Sequence, residues 1–148
     1  MKIIVLAGGL STERDVSLSS AAGICRTLLE KGHDAFLLDV FMGLEHTPEN
    51  LEDVFTLPDH GLDIVKNIST EEPDLAAVKA SRPDQSDCFF GPNVIELCRL
   101  ADITFLGLHG GEGENGKLQA AFDLLGIKYT GPDSLGCAVA MHKGVAKQ

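Results

Sequence analysis

The chain predicts an α/β domain built on a mostly parallel sheet flanked by helices, and three observations carry that prediction. The first is an uninterrupted apolar run near the start, Ile3-Ile4-Val5-Leu6, of the kind found in strands buried on both faces. The second is alternation: strand-like segments take turns with segments whose apolar residues recur at helical spacing, which is the order of βαβ units rather than of hairpins. The third is that two strand candidates run directly into glycine-rich polar turns, GGLSTERDVS and HGGEGENG, each followed by a helix.

Residues 2–7 form the first strand, and a helix begins near Ser17. Its Leu18, Ala21, Ala22, Cys25, Leu28 and Leu29 lie on one stripe, with Gly32 placed to end it. DAFLLDV (34–40) is the second strand, completing a βαβ start whose crossover is right-handed by default. Residues 42–92 differ in kind. They are acidic and hold Pro48, Pro58, Pro73, Pro83 and Pro92, five of the six prolines. Within them STEEPDLAAVKASRPDQSD (69–87) reads as loop with one short helix. The segment has too few apolar residues for a core of its own, so it is expected as an elaborated connection inside a single domain spanning residues 1–148.

Regular structure resumes at GPNVIELCRL, where Asn93 and Glu96 have capping-box spacing and Val94, Leu97 and Cys98 face inward. DITFLGL (102–108) is a strand and HGGEGENG (109–116) a glycine turn. KLQAAFDLLG is a helix with Leu118, Ala121, Phe122 and Leu125 on one face and Gly126 as its stop. IKYTG is a short strand, and residues 133–142 start a last helix at Asp133 or Ser134.

The bulk properties exclude several classes of function. A net charge of −10 opposes binding to a phosphate backbone or an anionic membrane surface. One Tyr and no Trp leave little for base stacking. No apolar run approaches the roughly 20 residues of a membrane span, and the N-terminal run ends in Gly-Gly without a signal-type cleavage site. The expected compartment is the cytoplasm. Cys25, Cys88, Cys98 and Cys137 form no CxxC pair, so neither zinc nor a disulfide framework is expected, and the thiols read as small apolar packing residues.

Ligands of open parallel sheets bind outside the carboxyl ends of the strands, where both glycine loops fall. The helix start after the first loop offers free N–H groups, Val16 among them, that favour an anion. Glu13 beside them suits a cation, so together they suit a zwitterion such as an amino acid. The competing reading is that Glu13 only offsets a helix dipole. His109 leaves the second strand exit with Gly110 and Gly111 clearing space around it, while Glu112 and Glu114 read as solvated or capping residues. Arg14 pairs either with Asp15 or with a carboxylate at the sheet edge. The first loop is neither a G-x-G-x-x-G fingerprint nor a Walker loop, which argues against nucleotide binding by this chain alone.

AGGLSTERDVSLSSA and LGLHGGEGENGKLQAAFDLLGIKYTGPDSLGCAVAMHKGVAKQ, in that order, resemble the N-terminal domain of D-alanine–D-alanine ligases. The resemblance covers residues 1–40 and about 102–148. It implies a Rossmann-like, pre-ATP-grasp domain that holds the first D-alanine of an ATP- and Mg²⁺-dependent ligase serving peptidoglycan synthesis. Glu13 matches the glutamate contacting the D-alanine ammonium, Val16 the residue whose backbone lies near the substrate, and His109 a histidine of the same pocket. Glu13 and His109 are thereby the catalytic candidates, and with Val16 the substrate-binding ones. Lys143 matches a lysine that reaches toward the nucleotide phosphates. No metal ligand is expected in this chain. Two departures stand out: Met141-His142-Lys143 replaces the usual Met-Asp-Lys, and Gly113-Glu114-Asn115-Gly116 the usual Gly-Glu-Asp-Gly. The resemblance places the adenine pocket, metal carboxylates and catalytic arginine beyond Gln148, so the chain is expected to be part of a longer ligase and inactive alone. D-alanine–D-lactate and D-alanine–D-serine ligases, a non-catalytic amino-acid-binding or docking module, and a homodimer all remain open.

Overall fold

The computed structural model describes residues 1–65 and 71–144. Residues 69–70 of the expected loop and the last four residues of the resembling C-terminal stretch fall outside the described ones. Among the described residues, three parallel strands form one sheet in the order β2-β1-β3, with β1 at Lys2–Ala7, β2 at Asp34–Asp39 and β3 at Ile103–Leu106. The register pairs Leu6 with Leu38 on one side and with Leu106 on the other, so all three strands release their chains at the same edge.

The unbroken apolar run of β1 has a direct cause. Ile3, Val5 and Ala7 pack with Leu18, Ala21, Ala22 and Cys25 of helix α1 (Arg14–Glu30). Ile4 and Leu6 point the other way, into a second core with Phe36, Leu38, Leu97 and Phe122. A strand alternates its side chains between faces, so a strand covered on both must be apolar at every position. The second core draws on α3 (Val94–Leu100) and α4 (Lys117–Leu125). It gives a three-layer α/β/α arrangement around the sheet.

Helix α1 starts at Arg14, three residues before the expected Ser17. Its apolar stripe begins only at Leu18, but the inward positions one turn earlier are filled by Arg14 and Ser17, both buried. Polar groups at strand ends satisfy them, so the helix extends where hydrophobic periodicity alone does not reach. Its C-terminus closes as expected at Gly32: Gly32 N–H donates to Leu29 O and His33 N–H to Leu28 O, the paired bonds of a Schellman motif.

The 42–92 connection leaves and returns at one point. Gly91 N–H donates to Val40 O at 2.8 Å and Leu44 N–H to Pro92 O at 2.9 Å. Between these ends, among the described residues, it carries two 3₁₀ turns, Leu51–Thr56 and Leu62–Val65, and the short helix α2 (Leu75–Ser81). Val54 and Phe55 sink into the core beneath β2, and Leu37 N–H donates to His60 O at 2.9 Å. The free side of β2 is therefore covered rather than left as an open edge.

Four expectations are corrected. Asn93 and Glu96 form no capping box: Asn93 sits in the left-handed region at φ 62° and turns its side-chain amide to Leu44 O at 2.7 Å, tying α3 to the connection. Strand β3 ends at Leu106 rather than 108, because Gly107 and Leu108 already belong to the loop. IKYTG makes a single parallel bridge, Tyr129 with Thr104, rather than a strand. On α4 the buried positions are Leu118, Gln119 and Phe122, with Ala121 and Leu125 only half-buried. Gln119 is admitted because its side-chain amide donates to Gly113 O at 2.9 Å. Helix α5 (Ser134–Met141) starts as expected, with the Asp133 carboxylate accepting from Gly136 N–H.

Candidate functional site

The site is built where β1 and β3 end side by side. Ser17, fully buried, bridges them: its hydroxyl accepts from Gly8 N–H at 3.0 Å and donates to Gly107 O at 2.7 Å. One side chain on α1 thus fixes both strand exits. Further out, the Ser11 hydroxyl donates to His109 O at 2.7 Å and accepts from Glu13 N–H at 3.2 Å. The two glycine loops are laced together by serines.

Arg14 is the internal strut. It pairs with Asp39 at the end of β2, the two side chains being 10% and 4% exposed, and donates to Gly9 O at 2.8 Å. The other Asp39 oxygen accepts from Phe41 N–H at 2.9 Å and Met42 N–H at 3.1 Å. Of the two partners left open by the sequence, the sheet-edge carboxylate is the one Arg14 takes. Gly8 is obligatory at this point: its φ is +76°, and a Cβ would lie 2.7 Å from the Asp39 carboxylate.

Glu13, in contrast, is exposed. It occupies the N-cap position of α1 without making a side-chain capping bond, so its carboxylate is not used to close the helix end. The carboxylate lies over the second loop, where a Cβ on Gly110 would be 2.8 Å from Glu13 Oε2. Gly110, at φ +70°, is what allows the loops this close an approach. Ser17 N–H donates to Glu13 O as the first full-turn bond of α1, so the N–H groups of Asp15 and Val16 belong to the open first turn.

His109 faces the same helix. Its Nε2 is 3.3 Å from Ser20 Oγ, and that hydroxyl lies 2.8 Å from Val16 O and 3.1 Å from Ser17 O. The direction of the Ser20–His109 contact follows the tautomer of the imidazole. Glu13, Val16 and His109 are thus gathered on one surface formed by the start of α1 and the second loop. Lys143 is exposed beyond α5, and among the described residues no hydrogen bond or ion pair ties it to that surface.

The seam between the loops is packed shut, holding no water-sized space, and Phe89 of the connection is part of its lining. Open volume lies on either side of it. A cleft of about 380 Å³ is lined by Leu10, Phe41, Lys79, Asp87, Phe89 and Glu112. A cavity of about 360 Å³ lies on the far flank of the second loop, between Leu106, Leu108, Thr130, Cys137 and Met141. No group of three His, Cys, Asp or Glu side chains among the described residues is placed to hold a metal ion. The thiols mostly pack as expected, Cys25, Cys98 and Cys137 being buried, but Cys88 is exposed on the connection.

Sequence reasoning singled out Glu13, Val16 and His109 but not Ser11, Ser17, Ser20 or Asp39. A partial signal existed: Arg14 and Ser17 continue the α1 stripe backwards from Leu18 and Ala21, and a polar residue on a buried stripe needs a partner. Asp39, charged at the end of an apolar strand, was the complementary clue.

Parallel strands, helices on both faces and two serine-laced glycine loops at the carboxyl edge define an α/β domain of the open parallel-sheet class, whose members bind ligands at that edge. The family profile described as D-ala D-ala ligase N-terminus matches residues 2–132, and the chain belongs to that family. It is 46% identical over 150 residues to the D-alanine–D-alanine ligase of Lacticaseibacillus casei, covering all of this chain and 41% of the relative. The ligase of Pediococcus pentosaceus is likewise 46% identical, with 100% and 42% covered. The chain therefore spans about two fifths of the length of the curated relatives it matches. Among solved structures, the Bacillus anthracis D-alanine–D-alanine ligase complexed with ATP aligns at TM-score 0.58 and 21% identity, covering 99% of this chain and 34% of that one. The Coxiella burnetii ligase aligns at 0.57 and 25%, covering 99% and 40%. No helix among the described residues is long and apolar enough to cross a membrane.

Proposed function

We propose that this chain is the first-substrate side of a longer, cytoplasmic, ATP-dependent D-alanine–D-alanine ligase that supplies dipeptide for peptidoglycan. The observation that carries the reading is the juxtaposition of an uncapped, exposed Glu13 carboxylate and the open first turn of α1, across from His109 on the adjoining loop. A carboxylate beside a set of helix N–H groups matches the two ends of a zwitterion. Glu13 would take the ammonium of the first D-alanine, the N–H groups around Val16 would face its carboxylate, and His109 would close the pocket.

In this reading the domain contributes positioning and electrostatics. ATP and Mg²⁺ serve the complete enzyme by activating the first carboxylate and offsetting phosphate charge, and both are held mainly outside this chain. Lys143, which follows α5 and is exposed, is assigned to reach the nucleotide phosphates. The reading is supported by the 46% identity to ligases over the whole of the chain.

The test uses the full-length polypeptide and the 148-residue chain side by side. The complete protein releases phosphate from ATP in the presence of D-alanine and yields the dipeptide. The chain alone does neither and gives no binding heat in a calorimetric titration with ATP. Micromolar ATP binding by the short chain, or a complete protein that is inert toward D-alanine, refutes the assignment.

A further inference from the structure

The acidic connection contains one of the most deeply buried side chains of the molecule, and it is an arginine. Arg82 is 1% exposed. Its guanidinium donates to Cys88 O at 2.5 Å and to Phe90 O at 3.2 Å, and also to Asp84 Oδ2 at 3.1 Å. Nε lies 2.7 Å from Asp84 Oδ1 as an ion-pair contact without hydrogen-bond alignment. The guanidinium sits over the Phe41 ring at 4.7 Å from its centre. The two backbone carbonyls it holds flank a single residue, Phe89.

Phe89 and Phe90 go separate ways. Phe90 stacks on Phe122 in the core, ring centres 6.0 Å apart. Phe89 lines the seam between the two glycine loops together with Gly8, Gly9, Leu10, His109 and Gly113. Its ring edge comes close to Gly9, where a Cβ would lie 3.6 Å away. The seam has no water-sized space, and the same ring borders the open cleft on its other side, so it sits as a wedge at the edge where the two loops meet.

We propose that segment 82–90 is a brace for the substrate loops, and that Arg82 is a positioning residue acting through Phe89 on the loops that carry Glu13 and His109. This rests on the function proposed above. A buried arginine is a costly way to close a surface loop, because an apolar side chain of similar volume fills the same space without desolvating a charge. What the guanidinium adds is direction: donors in a rigid fork set two carbonyls at once, which fixes the angle at which the Phe89 ring is presented. A substrate held at both ends by two different loops depends on their separation. Freeing the wedge therefore weakens substrate alignment before it weakens the fold.

The variants are Arg82→Met, which keeps an unbranched stem but removes the donors and the charge, Arg82→Lys, which keeps the charge but not the fork, and Phe89→Leu. Amide hydrogen exchange on this chain reads the brace directly. For Arg82→Met and Phe89→Leu, exchange rises by about tenfold or more in residues 8–11 and 109–113 while β1 and the centre of α1 stay as slow as in the parent, as local opening requires. In the full-length ligase, KM for D-alanine rises by about 10- to 100-fold, the scale of a small misalignment of a bound substrate, with KM for ATP unchanged. Arg82→Lys falls between parent and Arg82→Met in both measurements. Exchange that rises equally in the loops and in β1 would show a general loss of stability and overturn the proposal, as would unchanged loops. A parent protein inert toward D-alanine removes the ligase reading, and the exchange pattern alone then decides the brace.

Discussion

Asp39→Asn tests the strut beneath the site with almost no change in shape. In the folded chain the Asp39 carboxylate meets Arg14 on one oxygen and the N–H groups of Phe41 and Met42 on the other. Asparagine keeps an acceptor for the two N–H groups but sets an NH₂ donor against the guanidinium. Arg14 keeps its bond to Gly9 O yet becomes a buried cation without a counter-charge. Breaking a buried pair from one side costs about 3–5 kcal/mol. The surviving bond to Gly9 places this case at the lower end, about 3 kcal/mol. With a urea m-value of about 2 kcal/mol/M, the unfolding midpoint falls by about 1.5 M. Far-UV circular dichroism is the probe of choice, since a chain with no Trp and one Tyr gives a poor fluorescence signal. Lys2→Met is the control: the Lys2–Glu52 pair is 37% and 49% exposed, and its loss leaves the unfolding midpoint essentially where it is in the parent. Adding Arg14→Met to Asp39→Asn recovers part of the loss by removing the unpaired charge. A loss below about 1 kcal/mol for Asp39→Asn, indistinguishable from a surface pair, would refute the strut.

Two further outcomes follow from the site and from the thiols. In the full-length enzyme Glu13→Gln lowers kcat/KM for the first D-alanine by about 10- to 150-fold, the equivalent of about 1.5–3 kcal/mol for a charge-assisted contact. If Glu13 serves only the helix dipole, steady-state kinetics are unchanged and a thermal melt moves by no more than about 0.3–1 kcal/mol. With iodoacetamide at pH 8 the native chain labels rapidly at Cys88 alone, and at all four cysteines in urea. Burial pushes the Cys25 thiol up to about 11 and Cys98 to about 12, and raises Cys137 by burial and then by Asp133 and Glu114. Only roughly a thousandth of Cys25, and less of Cys98, is thiolate at pH 8, and mass spectrometry that finds Cys98 labelled as fast as Cys88 would show its packing to be wrong.

The parts of the fold legible in the sequence are those where one periodicity has one cause. The β1 run is apolar throughout because two cores claim alternate residues, and the Leu18–Cys25 stripe reports a single helix face. The misplacements occur where a polar residue does the work of an apolar one. Ser17 resembles a cap ahead of Leu18, yet it is a buried bridge between strand exits inside α1. Asn93 has the chemistry and spacing of a capping residue, but its side chain is taken by Leu44 O, 49 residues away in the chain. Local pattern cannot compete with a partner that only the tertiary fold supplies.

The site divides along the same line. The residues proposed to face a ligand carry their chemistry in the open: an exposed acid at a helix start and a histidine ahead of two glycines are visible in any reading of the loops. Residues that hold those groups in place act through geometry, and geometry is a property of pairs. Arg14 means little until Asp39 is known to end the neighbouring strand, and Arg82 looks like one more surface charge in an acidic stretch. Both are arginines that bond backbone carbonyls as well as a carboxylate. Both anchor segments that reach the glycine loops, one from inside the sheet and one from the connection. If binding depends on the distance between the two loops, these arginines govern it without touching substrate. Exchange of the loops for Lys, Met and Asn variants at Arg82, Arg14 and Asp39 measures that dependence more directly than activity does.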